Sequence, residues 1–251
     1  MPTIAALYRY PVKGLSPEPL TRAALAAGGT IPFDRAYAIE NGPSGFDRLA
    51  PRTLPKINFL MLMRNEGLAG LDTRFDDASS TLTIRRAGAI VAEGNLATPA
   101  GRRAIETFFD AFSADDLRGP ATVLAASGFS FSDSPRKVVS LINLATLRTM
   151  EKDFGDAIDP VRFRGNILVE GLAPWQEFDW VGHTLTIGSA AVVRWISRRG
   201  RAPGKVIFQV LYGIGSSYVL MAALRRLPDR VAPIVALLAI ATMELLVGLA
   251  T

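Results

Sequence analysis

The chain has no cysteine and a single histidine, His183, so the side chains that most often do chemistry at neutral pH are nearly missing. Without thiols there are no disulfides, no cysteine-based zinc sites, no cysteine-ligated iron–sulfur clusters and no cysteine nucleophile. One imidazole has no matching cluster to complete a metal site, and His183, in a turn before a strand, reads as a surface residue. Glu244, alone in an apolar run, reads as a shallow or partnered carboxylate rather than a proton site. What remains is polar and charged, gathered in short segments: YPVKG at residues 10–14, PFDRA at 32–36, FSD at 131–133, VSLINL at 139–144, DPVRFRGNI at 159–167, PWQEFDWVG at 174–182 and LTIG at 185–188.

The elements that must carry these segments are mostly strands. TIAALYRY, ended by Pro11, and FDRAYAIE, KINFLMLM, STLTIRR and GHTLTIG are short runs rich in β-branched or alternating apolar residues, bounded by Gly, Pro, Asn and Asp. Many short strands with frequent turns point to barrels or sandwiches. Two helices interrupt them. Over 98–112, Thr98 is placed as N-cap, Pro99 at the first helical position, and Ile105, Phe108, Phe109 and Phe112 on one face. Over 143–154, Asn143 is a plausible cap, Leu144, Leu147, Met150 and Phe154 form the inner side, and Gly155 can stop the helix.

At 251 residues the chain is long enough for one large domain or two small ones with a sizeable core. Its 49% hydrophobic content excludes a disordered tail, and a mean hydropathy of +0.24 is high. The net charge of +5 is confined to the last part: residues 198–251 hold Arg198, Arg199, Arg201, Lys205, Arg225, Arg226 and Arg230 against Asp229 and Glu244, while the preceding residues are balanced. A nucleic-acid binder would carry its basic excess on the folded module, so no nucleic-acid partner is expected. Two segments beside that excess, 206–224 and 231–250, are long and apolar enough to cross a ~30 Å hydrocarbon core; a buried helical hairpin is the alternative. The expectation is an apolar helical tail that anchors the chain to a membrane, with the globular part in the cytoplasm because the first residues lack a secretory signal.

The ordered polar segments resemble those of MOSC-domain proteins, in which an N-terminal β-barrel domain precedes a MOSC domain; the likeness runs across residues 1–190. The implied fold is mainly β with a few helices (α+β): a barrel-like domain over 1–105, a MOSC barrel over 106–197 that lacks its closing strands, and a basic linker with two apolar segments over 198–251. The resemblance implies binding of the molybdenum cofactor, a pterin dithiolene carrying a phosphate, and either oxidoreductase activity on N-hydroxylated substrates or sulfur transfer. It implies Lys13 and Arg35 at the cofactor's anionic end, and Ser132, Asp133, Ser140, Arg162, Arg164 and Asn166 on pterin and phosphate. Such residues suit the ligand: Arg offers a planar fork of donors to phosphate, Lys a point charge, and Ser, Asp and Asn the partners of a pterin's polar edge. The ordinary alternative is a solvated Lys13, with Arg35 and Arg162 in surface pairs with Asp34 and Asp159 and Asn166 a turn former.

Two departures from the family pattern stand out. The family's molybdenum-ligating cysteine is expected near Ser197–Arg201, with Gly200 the closest position, and a hard serine oxygen does not replace a soft thiolate. Gly165 stands where the family usually has proline. Catalysis is therefore doubtful by this reading, and a non-catalytic ligand-binding module, membrane-tethered, or a membrane hairpin with a vestigial MOSC domain are the alternatives. Pyridoxal phosphate attaches to the family through a separate desulfurase domain, for which this length leaves no room.

Overall fold

The computed structural model describes residues 1–180, 182–187 and 191–194, and its elements fall where β-branched runs, glycines and prolines punctuate the chain. Pro11 ends Thr3–Arg9 (β1), since proline cannot donate to a ladder. Glu18–Leu20 (β2) returns antiparallel to it. Tyr37–Asn41 (β3) begins after a turn in which Phe33 and Arg35 both take positive φ, 62° and 54°.

Leu71–Asp76 (β4), Thr81–Arg86 (β5) and Ala89–Asn95 (β6) form an antiparallel meander. Ala87 and Gly88, both at positive φ, make the two-residue turn between β5 and β6, whose backbone twist matches that of the strands it joins. In β4, Leu71, Thr73 and Phe75 point inward and the residues between them outward, the period of a half-buried strand.

Pro99–Phe112 (α1) starts as its sequence dictates: Thr98 Oγ1 accepts from the Gly101 amide at 3.1 Å, and Ile105 and Phe109 are buried. Gly101 lets this helix press on β6, for a Cβ there would lie 2.1 Å from the Asn95 oxygen. Ala121–Ala125 (β7) pairs antiparallel with β3.

Leu141–Asn143 (β8) runs straight into Leu144–Phe154 (α2), which stops at Gly155 (φ 78°). Ile167–Glu170 (β9) completes a four-stranded sheet of order β2-β1-β9-β8, antiparallel except for β8 against β9. Thr184–Ile187 (β10) and Ala191–Arg194 (β11) form a separate hairpin.

The described residues divide into two compact units, residues 1–144 with 159–172, and residues 145–158 with those described from 173 onward. The first holds a core of Val12, Leu15, Ile39, Leu60, Ile84, Phe109 and Val123 with their neighbours, and a smaller aromatic cluster of Phe59 and Phe131 against Phe46 and Phe129. In the second, Thr146 Oγ1 donates to Glu177 Oε1 and accepts from the Trp175 amide, both at 2.8 Å, and Trp175 stacks on Phe178.

The expected fold is corrected in two respects. The architecture is mixed α+β with open sheets, not a barrel-like domain followed by an incomplete barrel: among the described residues the strands form four separate sheets, and the largest ends on three-residue strands that are too short to close it. The apolar helical tail is also withdrawn. No helix among the described residues is long and apolar enough to cross a membrane; α1, the longer of the two α-helices, has 14 residues, about 21 Å at 1.5 Å each. The segments 206–224 and 231–250, on which membrane anchoring, a membrane partner and a membrane-anchored location rested, lie outside the described residues, as do Ser197–Arg201 and the linker. No membrane role is carried further. A smaller difference lies in KINFLMLM, where a 3-10 turn over Lys56–Asn58 and a single bridge from Phe59 to Glu40 replace the expected strand.

Candidate anion-binding site

Tyr10 is the centre of the most heavily charged buried region in the first unit. It is 0% exposed, its hydroxyl donates to the Gly165 oxygen at 3.2 Å, and its amide donates to Asp34 Oδ1 at 2.9 Å. Two guanidinium groups lie against its ring, Arg164 at 4.2 Å and Arg35 at 4.9 Å from the centroid, within cation–π range. Burial pushes the phenol up to about 12, against the opposing pull of Arg164 and Arg35.

The PFDRA turn sets up the lower half. With Phe33 and Arg35 both in the left-handed region, Asp34 is turned inward and 3% exposed. This carboxylate accepts from the Tyr10 amide and, at 3.1 Å, from Asn166 Nδ2, and it pairs with Arg35 Nη1. Arg35 Nη2 in turn donates to the Arg164 oxygen at 2.9 Å. The non-glycine positive φ values are strained conformations held by these bonds, a pattern that clusters at functional sites.

The DPVRFRGNI segment brings the other half. Asp159 accepts from the Val161 amide and caps a 3-10 turn, Pro160–Phe163, and Arg164 ends the turn at φ 52°. Arg164 Nη1 donates to the Leu15 oxygen at 2.7 Å, whereas Nη2 is buried without a hydrogen-bond partner. Burial, reinforced by Arg35, pushes its guanidinium down to about 10, so it stays cationic at neutral pH. Asn166 is 1% exposed and fully used: Oδ1 accepts from the Ser140 amide and hydroxyl at 3.1 and 2.8 Å, and Nδ2 donates to the Tyr8 oxygen and Asp34. Gly165 is required where it stands, since a Cβ would lie 2.4 Å from Ile142 Cγ1.

Lys13 lies 8% exposed, with Nζ on the Phe131 oxygen at 2.9 Å and on Asp133 Oδ1 at 2.5 Å. Burial pushes its ammonium below the ordinary lysine value, partly offset by Asp133 and reinforced by Arg35 and Arg164. The YPVKG turn needs its glycine: Gly14 takes φ +83°, and a Cβ would sit 2.7 Å from the Leu60 oxygen.

Of the eight residues singled out from sequence, Lys13, Arg35, Asp133, Ser140, Arg164 and Asn166 therefore join one network. Ser132 donates to the Ser134 oxygen, shaping its own loop, and Arg162 is exposed on the 3-10 turn. The surface-pair alternative fails for Arg35, whose partner Asp34 is buried. Tyr10 and Asp34 were not singled out, although both stand inside the quoted motifs; each adjoins one arginine, Arg9 or Arg35, which by itself gives no signal of a site.

Lys13, Arg35 and Arg164 face Asp34 and Asp133, an excess of one positive charge around a buried, unsatisfied guanidinium nitrogen. That donor set suits an anion with several oxygens, such as a phosphomonoester. Metal ligation is another matter. Among the described residues no group of three or more His, Cys, Asp or Glu side chains could hold a metal ion, which leaves the molybdenum-ion binding that the family resemblance implies without protein ligands there. Pyridoxal phosphate, which the family association alone brings in, finds no support here: Lys13, the cluster's lysine, is tied to Asp133 and Phe131.

Comparison with known families places both halves of this network. The MOSC N-terminal beta barrel domain matches residues 1–122 and the MOSC domain matches residues 129–206. No curated protein matches the chain.

Proposed function

The chain belongs to the MOSC-domain proteins, and from that premise we propose that it binds the phosphate-bearing pterin of the molybdenum cofactor through Lys13, Arg35 and Arg164. The observation that carries this reading is the Arg164 Nη2, buried without a protein acceptor in a region of net positive charge. A buried donor left unmade costs roughly 1–3 kcal/mol, and an anionic ligand oxygen would remove that cost. Asp34, Asn166 and Ser140 are consumed by one another and by the backbone, so they fix the cations rather than meet the ligand. Ser132 and Asp133 lie on the Phe131 loop, and Arg162 is exposed on its 3-10 turn.

The phosphate end of the cofactor fits this donor set; its metal end finds no thiolate, because the chain has no cysteine. When bound, the cofactor would supply the redox chemistry by which family members reduce N-hydroxylated substrates, while this chain supplies binding and electrostatics. A ligand-binding module without turnover is the second reading, favoured by the missing thiolate.

The test is the pterin and molybdenum content of the purified full-length chain. Bound pterin, lost in Arg164→Met, is expected. Pterin with stoichiometric molybdenum would favour the oxidoreductase, pterin without metal the binding module, and neither pterin nor binding of a pterin phosphomonoester would overturn the proposal.

A further inference from the structure

Arg164 differs from the other buried arginines in what neutralises it. Arg9 pairs with Glu18 and Asp77, and Arg35 with Asp34. Arg164 has no ion pair among the described residues: it has one carbonyl, Leu15 O, and the Tyr10 ring face at 4.2 Å. An aromatic face attracts a cation electrostatically but offers no lone pair in the guanidinium plane. A carboxylate in its place would accept two N–H bonds side by side and leave few donors free.

Tyr10 is itself held on three sides, by the Asp34 bond to its amide, the hydroxyl bond to Gly165 and complete burial, so its ring is a fixed surface. The same ring carries Arg35 at 4.9 Å. It thus draws together two like charges that would otherwise separate.

We infer that Tyr10 is a positioning residue for anion binding: its ring face holds the Arg164 guanidinium in place of a carboxylate, fixing the arginine while leaving the buried Nη2 without a protein acceptor and so available to a ligand oxygen. This rests on the anion-binding reading above and adds that ring electrostatics, not ring shape alone, sets the affinity. Preorganisation of this kind lowers the ordering cost of binding.

The experiment titrates the full-length chain with inorganic phosphate in a calorimeter. Tyr10→Phe is the reference, and mono-, di- and trifluorinated phenylalanines at position 10 then weaken the ring quadrupole at nearly constant shape. Affinity is expected to fall stepwise, by roughly 2- to 30-fold across the series, the range of a cation–π contact converted to binding. In an Arg164→Met background the series is expected to be flat. A parallel fluorotyrosine series keeps the hydroxyl bond to Gly165 and covers the case in which Tyr10→Phe folds poorly.

A flat series in the native background, or an equal fall with Arg164→Met, would overturn the role of Tyr10 while leaving the anion site standing. Absence of phosphate binding by the unsubstituted chain would overturn the anion-binding reading and this inference with it.

Discussion

Asp34 shows how much one side chain can organise. Its carboxylate, 3% exposed, accepts from Tyr10 and Asn166 and pairs with Arg35, so it joins both halves of the cluster. Asp34→Ala would leave Arg35 largely buried without its counter-charge, and a loss of about 3–5 kcal/mol in urea unfolding is expected. Lys13 gives a second prediction. Its ammonium is pushed below its ordinary 10.5, chiefly by burial, so phosphate affinity should start to fall with rising pH before that value is reached. Lys13→Met should weaken binding and remove this part of the profile, measured by titration between neutral and alkaline pH. Stability moves the other way: between the folded and unfolded values the unfolded chain binds more protons, so this group's contribution to stability rises with pH there. Lys13, Arg35 and Arg164 came to notice only through the family resemblance of the segments that carry them, for taken singly each reads as an ordinary surface or turn residue. Tyr10 did not, since an aromatic next to a strand end reads as core, and only the two guanidinium groups arriving from distant segments give its ring another role.

At the scale of elements, the backbone decides which substitutions the turns accept. Gly14 and Gly88 both take φ +83°, but a Cβ at Gly14 would lie 2.7 Å from a backbone oxygen, whereas nothing lies within 4 Å of one at Gly88. Gly88→Ala should therefore cost only the left-handed strain, about 1–2 kcal/mol. Gly14→Ala should cost at least about 1–3 kcal/mol more, as the YPVKG turn and the Leu60–Met61 backbone beside it are forced apart. Urea midpoints of the two variants compare them directly. The helix α1 was readable from its cap, its N1 proline and the spacing of Ile105 and Phe109, because all of these act within the helix itself. KINFLMLM misled because its apolar run touches strand β3 at one point only, the Phe59–Glu40 bridge with the Leu60 amide on the Ile39 oxygen, and Leu60 and Met61 are buried by the Gly14 turn and the core rather than by an extended ladder. Strand β4 carries the clean alternation of Leu71, Thr73 and Phe75 and was open to the same argument that found β5.

For the whole chain, the decisive pairing is the most distant one. β1 lies between β2 and β9 in the four-stranded sheet, with Thr3 opposite Glu170 and Leu7 opposite Ile167. The first of these strands falls in the segment matching the N-terminal family and the second in the segment matching the MOSC domain. Sequence periodicity finds strands but not partners more than 150 residues away, which is why the four open sheets were not foreseen from the ordered motifs. The same pairing carries Arg164 and Asn166, just ahead of β9, to Tyr10 and Arg35, so the anion site is assembled from both segments. A chain ending at Thr122 would expose the edge of β1 that β9 covers, remove the buried Ile167, Leu168 and Val169, and leave Asp34 without Asn166. It is expected to bind no phosphate and to unfold without the cooperativity of the full chain, with phosphate titration and urea unfolding as the two readouts. Phosphate affinity close to that of the full chain would show that residues 1–122 form the site unaided, and would refute its assembly across the β1–β9 pairing.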